Sequence, residues 1–142
     1  MTVLAAVVAG LMAVAAEAPA LVVQAPDAPV KLDRTSVLTV AGSPPVILYA
    51  ATNLTGDALE QFTVMVFVFK ADGALKARQV APGRRTLEGR ETKYSTIVLD
   101  GAPIESTDII VIGVNQAQRV NSDAWWRADL QPAAEKAVPK KP

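Results

Sequence analysis

The sequence predicts an all-β fold, an antiparallel sandwich of about seven strands, and three observations carry that expectation. Apolar residues recur with period two through the middle of the chain, most plainly in EQFTVMVFVFKADG at residues 60–73. The runs are rich in β-branched and aromatic residues, which suit a pleated surface. Turn-forming groups such as AGSPP, ADG and APGRRTLEGRE separate them at spacings of about 8–12 residues.

The chain begins MTVLAAVVAGLMAVAAEAPA. Its apolar run over residues 3–16 falls short of the about 20 residues a membrane span requires and suits the central part of a signal peptide. Ala13-Val14-Ala15 supplies a small-x-small pattern that places cleavage near Ala15 or Ala16, with Ala18 and Ala20 as alternatives. The positive charge ahead of the run is the terminal amine alone. Residues 1–16 are therefore expected to be a signal peptide, and the product a periplasmic or secreted protein with no membrane span after processing.

Residues 17–34 carry Pro19, Pro26 and Pro29 among alanines and read as an extended lead-in. A sandwich domain over residues 35–130 follows. SVLTV (36–40) and PVILYAATNL (45–54) are its first strands. The strand within residues 60–69 comes next, and Gly73 in ADG supplies the left-handed position of a hairpin that returns through ALKARQV. TKYSTIVL (92–99) and the short apolar IIVIGV (109–114) are further strands. AWWRADL (124–130) is favoured as the last strand, a short helix capped by Ser122 or Asp123 being the alternative. QPAAEKAVPKKP, residues 131–142, offers almost no large apolar side chain and reads as a disordered Ala/Lys/Pro tail or a frayed helical turn.

Composition narrows the chemistry. The chain has 142 residues, and its 14 basic and 14 acidic side chains cancel, which gives no basis for a nucleic-acid partner. It contains no cysteine and no histidine. Disulfides, thiolate or imidazole metal sites and every catalytic triad built on His or Cys are thereby excluded. The expectation is a protein without catalysis, cofactor or metal. Asp100, Glu105 and Asp108 are the densest acidic group, and their spacing fits a solvated loop better than a calcium site.

With these residues placed, ATNLTGDALEQFTVMVFVFKADG and TLEGRETKYSTIVL resemble the FxLYD-type and related fibronectin-III-like sandwiches of bacterial envelope proteins. The resemblance covers about half of the mature chain and implies an immunoglobulin/fibronectin-III-like sandwich outside the cytoplasm. It brings no catalytic residues. Met65 and Phe67 stand where the family pattern is usually polar. In such sandwiches the third strand lies beside the sixth, so FTVMVFVF and IIVIGV are expected to be neighbours, with AWWRADL next to the sixth.

Candidate sites follow from side chains that look out of place. With Val64, Val66 and Val68 filling the core, Met65, Phe67 and Phe69 face outward. With Trp125 they would make an apolar sheet face that a protein partner or a second copy of the chain covers. Residues 70–93 hold seven cations against three acids, a local charge of +4. Lys76, Arg78, Arg84, Arg85 and Arg90 could hold an anionic polysaccharide, a lipid headgroup or another anionic polymer. The plainer reading is that Lys76 and Arg78 guard an exposed strand edge. Asn53-Leu54-Thr55 matches a glycosylation sequon, a pattern that arises readily by chance. Of Trp125 and Trp126, one is expected in the core and one at the rim, and stacking on sugar is the alternative. The function these features favour is a protein-interaction or structural module of the bacterial envelope. The alternative is an anionic-ligand module acting through the basic hairpin.

Overall fold

In a computed structural model, which describes residues 15–101 and 103–139, these residues form two β-sheets laid face to face, with a helix against the outside of the second. The first sheet has the order β1 (Ala15–Ala18), β3 (Val30–Val40), β4 (Val46–Asn53), β7 (Thr92–Val98). The second has the order β2 (Leu21–Val22), β8 (Ile109–Arg119), β5 (Leu59–Phe69), β6 (Leu75–Pro82), with β9 (Trp125–Trp126) also on β8. Helix α1 spans Leu130–Ala137. The sandwich expected from period two is thus present. The signal-peptide expectation rests almost wholly on residues 1–14, which lie outside the described residues.

Alternation sets the main core. Val30, Leu32 and Val37 from β3 and Ile47, Tyr49 and Ala51 from β4 face Phe62, Val64, Val66 and Val68 from β5 and Ile110, Ile112 and Val114 from β8. β5 pairs antiparallel with β8, Val66 opposite Ile112 and Phe67 opposite Val111, and β9 lies on the other side of β8. The third and sixth predicted strands are therefore neighbours, as expected. The β5–β6 hairpin turns through Gly73 at φ +91°, the left-handed conformation that glycine adopts without strain.

Three boundaries differ from expectation. β3 begins at Val30, not near residue 35, because Val30 and Leu32 already alternate inward while Lys31 and Asp33 face out; a bulge at Arg34 (φ +50°) interrupts the pairing. The lead-in belongs to both sheets: β1 pairs with β3, and after Pro19 the chain crosses so that β2 runs parallel to β8. There Val23 N donates to Ile112 O at 3.0 Å. Alanine-rich segments gave little side-chain signal for this, since their backbone pairing is what the edges of both sheets recruit. AWWRADL supplies only the two-residue strand β9, and the helix starts at Leu130, well after Ser122 or Asp123.

The expected disordered tail is also corrected. Residues 130–137 are helical, with Pro132 in the first turn, where its missing N–H breaks no intrahelical bond, and Lys136 in the last turn, where it complements the helix dipole.

Candidate functional site

The first candidate surface was the second face of β5. The structure covers it from within the chain. Leu130, Ala134 and Val138, one helical turn apart, lie against Phe67, Phe69 and Val111, with Met65, Val23 and Ile109 at the margin. Phe67 and Phe69 are fully buried and stack with ring centroids 6.3 Å apart. The proposed interface on Met65, Phe67 and Phe69 is corrected accordingly: these side chains line a second core. The physical reason is that small residues on α1 let the helix lie close to the sheet, so the aromatics of the sheet supply the buried area. Arg78 on β6 donates to Oε1 of Gln131 at 2.8 Å and closes one side of this lid. Trp125 belongs elsewhere. It is paired with Ala117, packs against the main core and donates from Nε1 to Asp27 at 3.0 Å, which leaves Trp126 on the outer face, 65% exposed.

The basic residues have separate structural partners. Lys76 Nζ lies 2.6 Å from Asp108 Oδ2 and also donates to Pro103 O at 2.8 Å; the Asp108 side chain is only 2% exposed. Burial pushes the Asp108 carboxyl up, but the bond from Lys76, the Glu105 N–H and the charges of Lys76 and Lys70 outweigh it and leave the pKa below the usual carboxylate value. Arg84 Nε donates to Tyr94 O at 2.9 Å, and Arg90, itself at φ +65°, donates to Leu54 O. Among the described residues, Arg85 makes no hydrogen bond or ion pair. The other four cations thus reach four different places: the loop before β8, helix α1, the edge of β7 and the loop after β4.

The edge strands explain part of this arrangement. Among the described residues, β6 and β7 are free edges of opposite sheets. Gln79 on β6 donates to Val98 O at 2.9 Å and accepts from Asp100 N at 3.0 Å, while Arg84 occupies Tyr94 O. Side chains therefore take up backbone groups that an incoming strand would otherwise use. Just inside this edge, Tyr49 is fully buried and its hydroxyl lacks a hydrogen-bond partner among the described residues. Burial raises its pKa; nearby Ser95 and the charge of Arg84 offset part of that, without Ser95 closing a bond of good geometry.

Asn53, from the sequon, is a structural pin. It is fully buried, donates from Nδ2 to the carbonyls of Asp57 (2.7 Å), Leu87 (3.1 Å) and Glu88 (3.2 Å), and accepts from Thr55 N and Oγ1. Its amide is engaged in the folded chain, and it ties together the loops at residues 54–58 and 83–91. Spacing did not reveal this role; a lone polar residue ending an apolar strand was the available signal.

One apolar surface left open is the outer face of the first sheet. Register places Leu38, Val46 and Val98 in one row, and Ser36, Leu48 and Thr96 in the next. Val40 and Val98 are 41% and 49% exposed, and Tyr94, hydrogen-bonded by Arg34, stands further along at 57%. The face grades from aliphatic at one end to Asp33, Lys31, Thr52 and Thr92 at the other. No local signal in the sequence marks it, since Leu38 and Leu48 are ordinary alternating strand residues. Among the described residues, no three acidic side chains gather as a metal site, and no helix is long and apolar enough to cross a membrane. Comparison with known proteins finds no matching family model, no matching curated protein and no matching solved structure.

Proposed function

We propose that this chain is a non-catalytic, exported β-sandwich that serves as a protein-interaction module of the bacterial envelope. The observation that carries this reading is the aliphatic end of the outer face of the first sheet, where Leu38, Val40, Val46, Leu48 and Val98 share one side without a covering element among the described residues. A flat group of branched aliphatics rimmed by polar side chains matches the core-and-rim composition of a protein interface. It replaces the face of Met65, Phe67 and Phe69 as the docking surface. The resemblance to FxLYD-type and fibronectin-III-like envelope domains, together with the apolar leader, supports an extracytoplasmic location. Cleavage after Ala16 would leave Glu17 and Ala18 to pair with Leu38 and Val37 at the edge of this face.

The test places a photo-crosslinking residue at 98 and, as a control, at the exposed position 80 on the other sheet, in cells making the full chain. A discrete adduct from 98, absent from 80 and lost when Val46→Lys is added, is the expected outcome. Absence of any adduct from 98 would overturn the reading. An adduct that survives Val46→Lys would do the same. The anionic-ligand alternative predicts binding to a polyanion that weakens steeply with salt. The scattering of Lys76, Arg78, Arg84 and Arg90 among separate partners does not favour it.

A further inference from the structure

Below helix α1, the outer face of the second sheet changes character from apolar to amide-rich. Trp126 pairs with Gln116, and Gln116 pairs with Thr63, so the three share that face side by side. Gln118 and Gln61 form the next row on the same face. Among the described residues the side-chain amides of Gln116 and Gln61 make no hydrogen bond. Gln118 also lines an adjoining open groove of about 700 Å³, bordered by Glu60, Arg119, Asn121, Ser122 and Asp123. In that groove the Nε of Arg119 is buried and has no hydrogen-bond partner among the described residues.

We infer that this surface binds a neutral oligosaccharide or polysaccharide chain. Three features point to that chemistry. An indole 65% exposed on the outer face of a sheet gives a platform for the C–H face of a sugar ring, and it tolerates water around its rim. The unengaged amides of Gln116 and Gln61 each offer a donor and an acceptor at a fixed register from that platform, the pairing that vicinal hydroxyls require. The charges of the groove, Glu60 and Asp123 against Arg119, sum to −1, which disfavours a polyanion and leaves an uncharged hydroxylated ligand. Trp126 carries the stacking, Gln116 fixes ring orientation, and the groove beside Gln118 takes the next sugar. This surface is separate from the aliphatic face of the first sheet, so it neither needs nor tests the protein-interaction reading.

The two tryptophans provide the readout. The protein is titrated with a β-1,4-linked and an α-1,4-linked glucose hexasaccharide while Trp emission is followed. The expected result is a saturable shift with at least one hexasaccharide, unchanged by added salt. Trp126→Ala should weaken binding by at least about tenfold, and Gln116→Ala by about three- to tenfold. Trp126→Phe, which keeps an aromatic face, should retain most of the binding. Melting curves on each variant establish that it is folded; since Trp126 is largely exposed, they should match the wild type. If Trp126→Ala does not fold, Gln116→Ala and Trp126→Phe still decide the matter. Absence of a saturable response to both hexasaccharides would overturn the inference. So would undiminished binding by Trp126→Ala, or a response confined to charged polymers and abolished by salt.

Discussion

Leu130 Cδ1 lies so close over Gly113 that a Cβ added to the glycine would stand 2.7 Å from it. That approach is what seats α1 on β8, since a larger residue at 113 would lift the helix away from Phe67 and Val111. Leu130 is 2% exposed at the first position of the helix. Leu130→Ala should therefore cost about 2–3 kcal/mol, the lower part of the range for a buried leucine because the site lies under a single short helix. Denaturant unfolding checks it, and a loss under about 0.5 kcal/mol would mean that the helix does not cover the sheet in solution.

Phe67→Lys asks the complementary question from the sheet side. The ring is fully buried beneath α1, so a lysine there must either carry its charge into an apolar layer or expel the helix. The expected result is a chain that unfolds, or that exposes Phe69 and self-associates, as seen by thermal melting with light scattering. A folded monomer replacing a wild-type dimer would instead restore the face as an interface between copies.

Asn53→Ala removes a buried amide that donates to three carbonyls and leaves the Thr55 N–H without an acceptor, while Leu59 N, Glu91 N and Thr55 Oγ1 still donate to the carbonyls of Leu87, Glu88 and Asp57. The expected loss is about 2–4 kcal/mol. Asn53→Asp should be comparably damaging, because a carboxylate cannot donate to the carbonyls of Asp57, Leu87 and Glu88. Thr55→Ala, which removes one bond to Asn53 and one to Asp57 O, should cost only about 1 kcal/mol. Chemical denaturation of the three variants gives the ranking, and equal losses for Thr55→Ala and Asn53→Ala would contradict it.

Asp108 sets an acid limit to stability. Its folded pKa is lowered, so its contribution is fully present above the unfolded carboxylate value and is lost as pH falls through the folded one. Stability should decline from about pH 4 downward, and Asp108→Asn should flatten that decline. Lys76→Met, which leaves the buried carboxylate with the Glu105 N–H but no cation bonded to it, should cost about 2–3 kcal/mol at neutral pH. The measurement is unfolding free energy against pH. An acid limb unchanged in Asp108→Asn would place its origin elsewhere.

Gln79→Ala opens the edge of β7. The variant should lose about 1 kcal/mol and should associate more readily at high concentration, since Val98 O and Asp100 N become free to meet another strand. Charge reversal at Arg85 alone, where no partner is lost, should stay within about 0.5 kcal/mol. Sedimentation at several concentrations separates the two, and identical behaviour would remove the edge-capping role of Gln79.

The strands whose side chains alternate were legible in the order of residues alone. Val64, Val66 and Val68 facing Ile110, Ile112 and Val114 follow from period two, because a slip of one residue would turn a whole strand's apolar set outward. Gly73 marked its hairpin for the same local reason, a backbone angle that favours glycine. Partner choice lay beyond local signals. Residues 15–22 carry mostly small side chains, and they become strands only because β3 and β8 present unpaired edges to them. Helix α1 was hidden because most of its own side chains are small or polar; Leu130, Ala134 and Val138 gain their place from the aromatics beneath them. The dry second face of β5 was legible in the sequence. That the chain's own last segment covers it was decided by tertiary packing, where small residues let a helix approach a sheet and the buried area comes from the other side of the contact.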